Sequence, residues 1–456
     1  MNENSRNVCL AASIGMLAMA FSGPAAAKVD AAKAETLKST LTPTGAEKTG
    51  NKDGSIPAWD GGLKAAPAGF GGAGKRYVDP FPGDKPKFTI TKDNLAQYKD
   101  KLTAGQQALF AKYATYKMNV YETRRTFANP QYIYDAALKN ATSATLAGNG
   151  ETLQGAITGV PFPIPASGQE VMWNHKLRYQ DTSKTRWNNQ FAVTTAGDFN
   201  LVKIQEDAKF PYSYPKVTLE SLNNVGIYFL QRTTAPARLA GTILLVHETM
   251  DQIKEARRAW QYNPGQKRLR RAPNVGYDNP GTASDGLRTN DQLDIFNGAT
   301  DRYEWKLAGK KEVYAPVNSY VLHDAKYKYK DIVKKGHLNQ DLPRYELRRV
   351  WVVEATLKKG TSHIYKRRTF HVEEDGWQIA VVDIYDNRDQ MWRVQEAHTV
   401  MAYDKPYQLP IGETVYDLQS NRYLVMSLNN EDTETVSKEF ADNYFDPANV
   451  SKLATK

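Results

Sequence analysis

The stretch from Thr49 to Gly62, TGNKDGSIPAWDGG, holds oxygen-bearing side chains in the order of a calcium loop. Laid on such a loop, Thr49, Asn51, Asp53, Ser55 and Asp60 take ligand positions, Gly54 takes the sharp turn and Ile56 the apolar position after it. The fit fails at both ends: Thr49 replaces the first Asp and Asp60 replaces the closing bidentate Glu. Pro57 disturbs the run-out, and GGLKAAPAGFGG cannot form the helix that should follow. The spacing therefore predicts an Asx-type turn with Trp59 buried as an anchor, and no metal. GFGGAGKR comes close to a phosphate loop through Gly69, Gly74 and Lys75. Arg76 stands where Ser or Thr would hold magnesium, and no strand precedes it. The 7 histidines are His175, His247, His323, His337, His363, His371 and His398. No pair has zinc-ligand spacing, and His363 and His371 on one strand would lie about 26 Å apart. No G-x-S-x-G elbow occurs, and the single cysteine is Cys9. The pair Glu373-Glu374 sits beside the Asp375-Gly376 turn and reads as solvated. No catalytic residue, metal ligand or cofactor is assigned.

One cluster does suggest binding chemistry. Arg257, Arg258, Arg268, Arg270 and Arg271 crowd a hairpin that also carries Trp260 and Tyr262. Guanidinium groups suit an anionic headgroup or an acidic partner through paired hydrogen bonds. The same charges would also protect an exposed sheet edge from aggregation. Alternation puts Arg258, Trp260 and Tyr262 on one face and Arg257 on the other. The turn Asn263-Pro264-Gly265-Gln266 suits type II.

The elements that must position these groups follow from texture. Residues 1–27 read as a cleavable signal peptide: Arg6 near the start, an apolar run from Val8 to Phe21, and Ala25-Ala26-Ala27 before the cut after Ala27. The expected location is the periplasm. The net charge of +10 then points to anionic lipid or acidic ligands, and export argues against nucleic acid. Residues 28–90 are rich in Gly and Pro and form an N-terminal arm with one helix near 30–40. Residues 91–215 are helices and loops, with Asn129 as a helix cap and Pro130 in the first turn. Residues 216–456 run as strand after strand. The breaks fall at Ala235-Pro236, Lys359-Gly360, Asp375-Gly376 and Asn387-Arg388-Asp389. A helix is expected from Glu434 to Ala454, with Pro447 starting another turn. The fold class is α+β: a large curved antiparallel sheet, a half-barrel, with helices over its concave face. Residues 28–456 are expected to form one structural unit.

GNKDGSIPAWDGG, GVPFPIP with the following Trp173-Asn174-His175, and RRAWQYNPGQKRLRRAPNVGYDNP together resemble a proteobacterial periplasmic family. This is domain-of-unknown-function family 1329, outer-membrane lipoprotein-sorting-like and similar in fold to the periplasmic lipoprotein carriers. The resemblance spans nearly the whole chain after the signal. It implies a half-barrel that holds acyl chains, and an outer-membrane barrel protein or resistance-nodulation-division transporter as partner. It supplies no functional residue. The expected function is a non-enzymatic carrier or adaptor for a hydrophobic or lipid-like molecule, serving outer-membrane transport. The alternatives are a hydrolase on the concave face, and a structural partner of a barrel protein with no ligand. For a ligand, the apolar residues named are Phe162, Ile164, Trp173, Trp351, Val353, Val381 and Trp392. For an anionic partner they are the five arginines above.

Overall fold

The computed structural model describes residues 29–63, 65–272 and 276–453. The signal segment and its cut after Ala27 lie outside the described residues. The chain enters through α1 (Ala31–Ala34) and the arm, then β1 (Phe88–Ile90), α2 (Ala104–Lys112), β2 (Met118–Tyr121) and α3 (Gln131–Ser143). A small hairpin of β3 (Thr145–Ala147) and β4 (Thr152–Gln154) leads to α4 (Gly168–Leu177). Strands follow: β5 (Ser183–Trp187), β6 (Asn189–Val193), β7 (Phe199–Lys209), β8 (Val225–Ala235), β9 (Ile243–Thr249), β10 (Arg258–Asn263) and β11 (Arg268–Arg271). After a long connection come β12 (Tyr303–Pro316) and the single turns α5 (Tyr320–His323) and α6 (Tyr329–Ile332). Then come β13 (Tyr345–Leu357), β14 (Arg367–Glu373), β15 (Ile379–Tyr385), β16 (Met391–Ala402), β17 (Tyr407–Asp417) and β18 (Arg422–Leu428). The short β19 (Val436–Ser437) and α7 (Pro447–Leu453) close the chain.

The strands join as one antiparallel ribbon. Its order is β12, β13, β14, β15, β16, β17, β18, β6, β7, β8, β9, β10, β11. β5 continues β6 past a break at Asn188 and pairs with the second half of β7. β2 adds a parallel contact at the start of β13. The ribbon is curved, and one short stretch demonstrates it. Leu293 packs on a cluster from β7, β8, β9 and β10. Ile295 and Phe296, two and three residues on, pack on side chains of β13 to β16. Both wings of the sheet reach the same stretch, so this face is the inside of the curve.

From β13 to β18 both faces are largely covered, and for that reason these strands read as apolar runs without clear alternation, whereas β7, β10 and β12 keep partly exposed alternate residues. On the outside, Thr103 caps α2 through a reciprocal box with Gln106, the arrangement that satisfies two orphan N–H groups. Gly105 lies against Asp383 and Val394, where a side chain would not fit. On the inside sit α4 and the connection from Gly276 to Asp301. One apolar cluster joins Ile56 and Tyr77 of the arm, Leu109 of α2 and Val400 of the sheet.

The arm is held by buried charge. Arg125 meets Asp375 at 2.6 Å, with both side chains 2% exposed. Arg349 meets Glu374 at 2.6 Å and donates to the carbonyls of Glu47 and Thr49. Glu373 and Glu374 are therefore not solvated; both are buried in this network. Turn position alone did not reveal the arginines of β13 alongside.

The opening motif is an Asx-type turn. Asn51 accepts from the Ile56 N–H at 2.9 Å and donates to Glu312 at 3.0 Å. Asp53 accepts from the Ser55 N–H at 3.0 Å. The buried anchor is Ile56. Trp59 is half-exposed and ties down only its indole N–H, to Phe127 O at 3.2 Å.

Other local expectations shift. The third helix starts at Gln131 with Pro130 as its cap residue, so Asn129 is not the cap. In the basic hairpin the left-handed residue is Lys267, at φ 50°, so the turn is not type II with Gly265 in that role. Glu434 to Asp446 is not helical; only Pro447–Leu453 is. Phe440 and Phe445 bury themselves against the outer face of β8 to β10 without a helix.

Candidate ligand-binding interior

The inner face of β5 to β10 carries one continuous row of directly opposed residues. Lys184 of β5 faces Ala208 of β7. Ala208 faces Phe229 of β8, and Phe229 faces Val246 of β9. Val246 faces Ala259 of β10. Directly opposed residues of antiparallel strands share a face. The row therefore runs straight across five strands, about 19 Å at the usual strand spacing. Ala208, Phe229, Val246 and Ala259 are all buried and form one apolar cluster under Leu293.

The row opens differently at its two ends. At the Ala259 end lies a cleft of about 680 Å³ lined by Ala259, Ala272, Tyr277, Arg257, Arg271 and Arg302. At the Lys184 end lies a small slot of about 50 Å³ between Lys184, Lys176, Phe210, Phe229, Leu293 and Phe296. That volume suits one or two waters, each taking about 30 Å³, and not an acyl chain.

Charge is arranged unevenly around the slot. Arg186, on the same face of β5 as Lys184, meets Glu206 at 3.0 Å, and Asn188 donates to the same carboxylate. Arg178 meets Asp294 at 2.6 Å. His175 Nε2 lies 2.8 Å from Asp294 O. Burial pushes the His175 imidazole down to about 4. Asp294 is raised by burial, but Arg178 and His175 outweigh this and hold it at about 2. Lys184 is 1% exposed and makes no ion pair among the described residues. It donates to Gln180 O at 3.1 Å and lies 5.1 and 5.0 Å from the Phe210 and Tyr407 ring centres. Burial, then the Arg186 charge, push its ammonium down to about 7.

The stretch that covers the row is strained. Asp294 and Ile295 have φ of 51° and 65°. Two successive non-glycine residues in the left-handed region are unfavourable, the more so for a β-branched one. Glu413 accepts from the Ile295 N–H at 3.3 Å and helps to hold the bend.

The residues named from sequence for an apolar ligand are divided among four clusters. Phe162 and Trp173 belong to a cluster beneath the small hairpin. Ile164 packs with α1 and α3. Val353 is buried on the inner face with Trp351 and Trp392 at the margin of the same cluster. Val381 faces outward into the cluster under α2. The apolar runs of β13 to β16 pack between two apolar clusters, one on each face. Of the five arginines, Arg257 and Arg271 reach the cleft. Arg257 is paired with Glu248 at 2.6 Å, Arg258 lies 3.4 Å from Glu255, and Arg271 lies 5.7 Å over the Trp260 ring. Arg268 and Arg270 are exposed on β11, an edge of the sheet. Sequence reading missed Lys184, Ala208 and Ala259. The available signal was SKTRW, where alternation sets two cations on one face of a short strand.

The family model described as "Protein of unknown function (DUF1329)" matches residues 89–451. The chain belongs to the DUF1329 family. An uncharacterized Pseudomonas aeruginosa protein, PA3922, is 52% identical over 409 residues, 90% of each chain. Among solved structures, a DUF1329 family protein from Desulfovibrio piger shares 14% identity at a TM-score of 0.43, covering 62% of this chain and 97% of its own. A LolA superfamily protein from Nitrosomonas europaea shares 13% identity at a TM-score of 0.37, covering 62% and 98%.

Proposed function

We propose that this DUF1329 protein is a non-enzymatic carrier or adaptor for a hydrophobic, lipid-like molecule, working in the periplasm in service of outer-membrane transport. The observation that carries the reading is the covered apolar row that runs from an open cleft into the sheet interior. A chain lying on the row buries methylenes at roughly 0.8 kcal/mol each. The interior is filled as it stands, so occupancy requires the stretch from Leu293 to Phe296 to lift. Its strained backbone favours that movement, since each such residue costs about 1–3 kcal/mol. In this reading the delivery partner is an outer-membrane barrel protein or a resistance-nodulation-division transporter.

The carboxylates beside the slot are engaged by guanidinium groups, Glu206 by Arg186 and Asp294 by Arg178. This favours a carrier over a hydrolase that needs a free general base. The packed interior favours, as a second reading, an adaptor that binds a partner protein and no ligand. Titration with a fluorescent fatty-acid probe separates the two. A carrier gives saturable binding that Ala259→Phe weakens at the row's entrance. A ligand-free adaptor gives neither. Export is tested by N-terminal sequencing of protein released from the periplasm, with Lys28 as the expected first residue.

A further inference from the structure

We infer that the molecule held on this row is a single-chain amphiphile with an anionic head, its head seated on Lys184 and its chain running toward the cleft. The inference rests on the carrier reading above. Three observations carry it. First, the Lys184 ammonium is buried and has no carboxylate partner among the described residues. Burying a charge is costly unless it is paired, and aromatic faces offset only part of that cost. Of the carboxylates around it, Asp181 accepts from the Thr182 N–H at 2.7 Å and from the Ser437 hydroxyl, and Glu206 and Asp294 are held by Arg186 and Arg178. An incoming carboxylate or phosphate would supply the missing charge. Second, Lys176 lines the same slot, with its ammonium 4.3 Å over the Trp173 ring and 3.3 Å from Gly298 O. Two lysines, from α4 and β5, thus line one slot, and neither forms an ion pair among the described residues. Third, the slot lies at the opposite end of the row from the cleft, and the row is a single line of directly opposed residues, which matches one chain.

The opposite polarity, head at the cleft, finds weaker support. Arg257 is taken by Glu248. Arg302 lies 3.7 Å from Asp278 and donates to Ser362 O at 2.8 Å. Arg271 is exposed, where an ion pair gains little.

The test is calorimetric titration of the full exported chain with palmitate, hexadecyl phosphate and methyl palmitate, which share one chain and differ in the head. The expected result is binding of one or both anions at least tenfold tighter than the ester; which anion is tighter tells a carboxylate from a phosphate ligand. Lys184→Met should remove this preference while ester binding persists. It should also leave the empty protein melting no lower than the original, because an uncompensated buried charge has gone. Lys184→Arg should keep the preference, and it serves if the methionine variant does not fold. Arg270→Gln, on the outer edge, is the control. Equal binding of palmitate, hexadecyl phosphate and methyl palmitate overturns the inference and leaves the carrier reading standing. Loss of preference in Arg271→Gln but not in Lys184→Met places the head at the cleft and also overturns it. Absence of binding by all three overturns both.

Discussion

At the residue scale, Lys184 makes the sharpest claim. Its folded value is about 7 against an ordinary 10.5, lowered first by burial and then by Arg186. Asp181 and Asp294 act in the opposite sense, and Arg178 in the same sense as Arg186. Between pH of about 7 and about 10.5 the unfolded chain holds a proton that the folded chain has lost. Stability attributable to this group therefore rises with pH across that window. Anion binding has the opposite slope. The bound anion favours the ammonium form, so binding takes up a proton above about pH 7 and weakens as pH rises. Titrations of palmitate at several pH values should show affinity falling above neutrality in the original protein and staying flat in Lys184→Met. A second expectation concerns the arm. Ile56 is buried, and Ile56→Ala should cost about 2–5 kcal/mol by denaturant unfolding. Trp59→Ala should cost less, because the indole is half-exposed. The reverse order would show that the indole is the anchor.

At the element scale, the arm and sheet are joined through β13 and the turn after β14. Arg125 bonds Asp375 and also donates to the carbonyls of Glu47, Lys48 and Pro57. Arg125→Met leaves Asp375 short of one cation, and breaking such a buried pair costs about 3–5 kcal/mol. Limited proteolysis should then cut first within residues 40–62; an unchanged cleavage pattern would mean that the apolar contacts alone hold the arm. The strands of this region were legible because turn signals separate long β-branched and aromatic runs. Pro410 and Gly412 break the strand pattern of β17. The sheet accommodates them with a register shift between His398 and Thr399 of β16, opposite those residues. The C-terminal helix was over-read for a different reason: Phe440 and Tyr444 lie four residues apart, yet burial of Phe440 and Phe445 on β8 to β10 holds this segment without a helix. The Asx turn could be read from Asn51, Asp53 and Ser55 because it is local. The row could not, since Lys184, Ala208, Phe229, Val246 and Ala259 come from five strands and only strand register aligns them.

At the scale of the whole molecule, the sheet is an open half-barrel that keeps two edges. β11 is blunted by exposed Arg268, Arg270 and Arg271, as edge strands commonly are. No helix among the described residues is long and apolar enough to cross a membrane. The cleft of about 680 Å³ and the slot of about 50 Å³ lie at opposite ends of a filled row. A carrier of this design would be closed when empty and open when loaded. Native mass spectrometry of the full chain, purified without detergent, tests that account most directly. The account predicts a population heavier by the mass of one single-chain anionic lipid, lost in Ala259→Phe and replenished in the original protein by added palmitate. A protein that flies only at its bare mass, before and after palmitate, would contradict it.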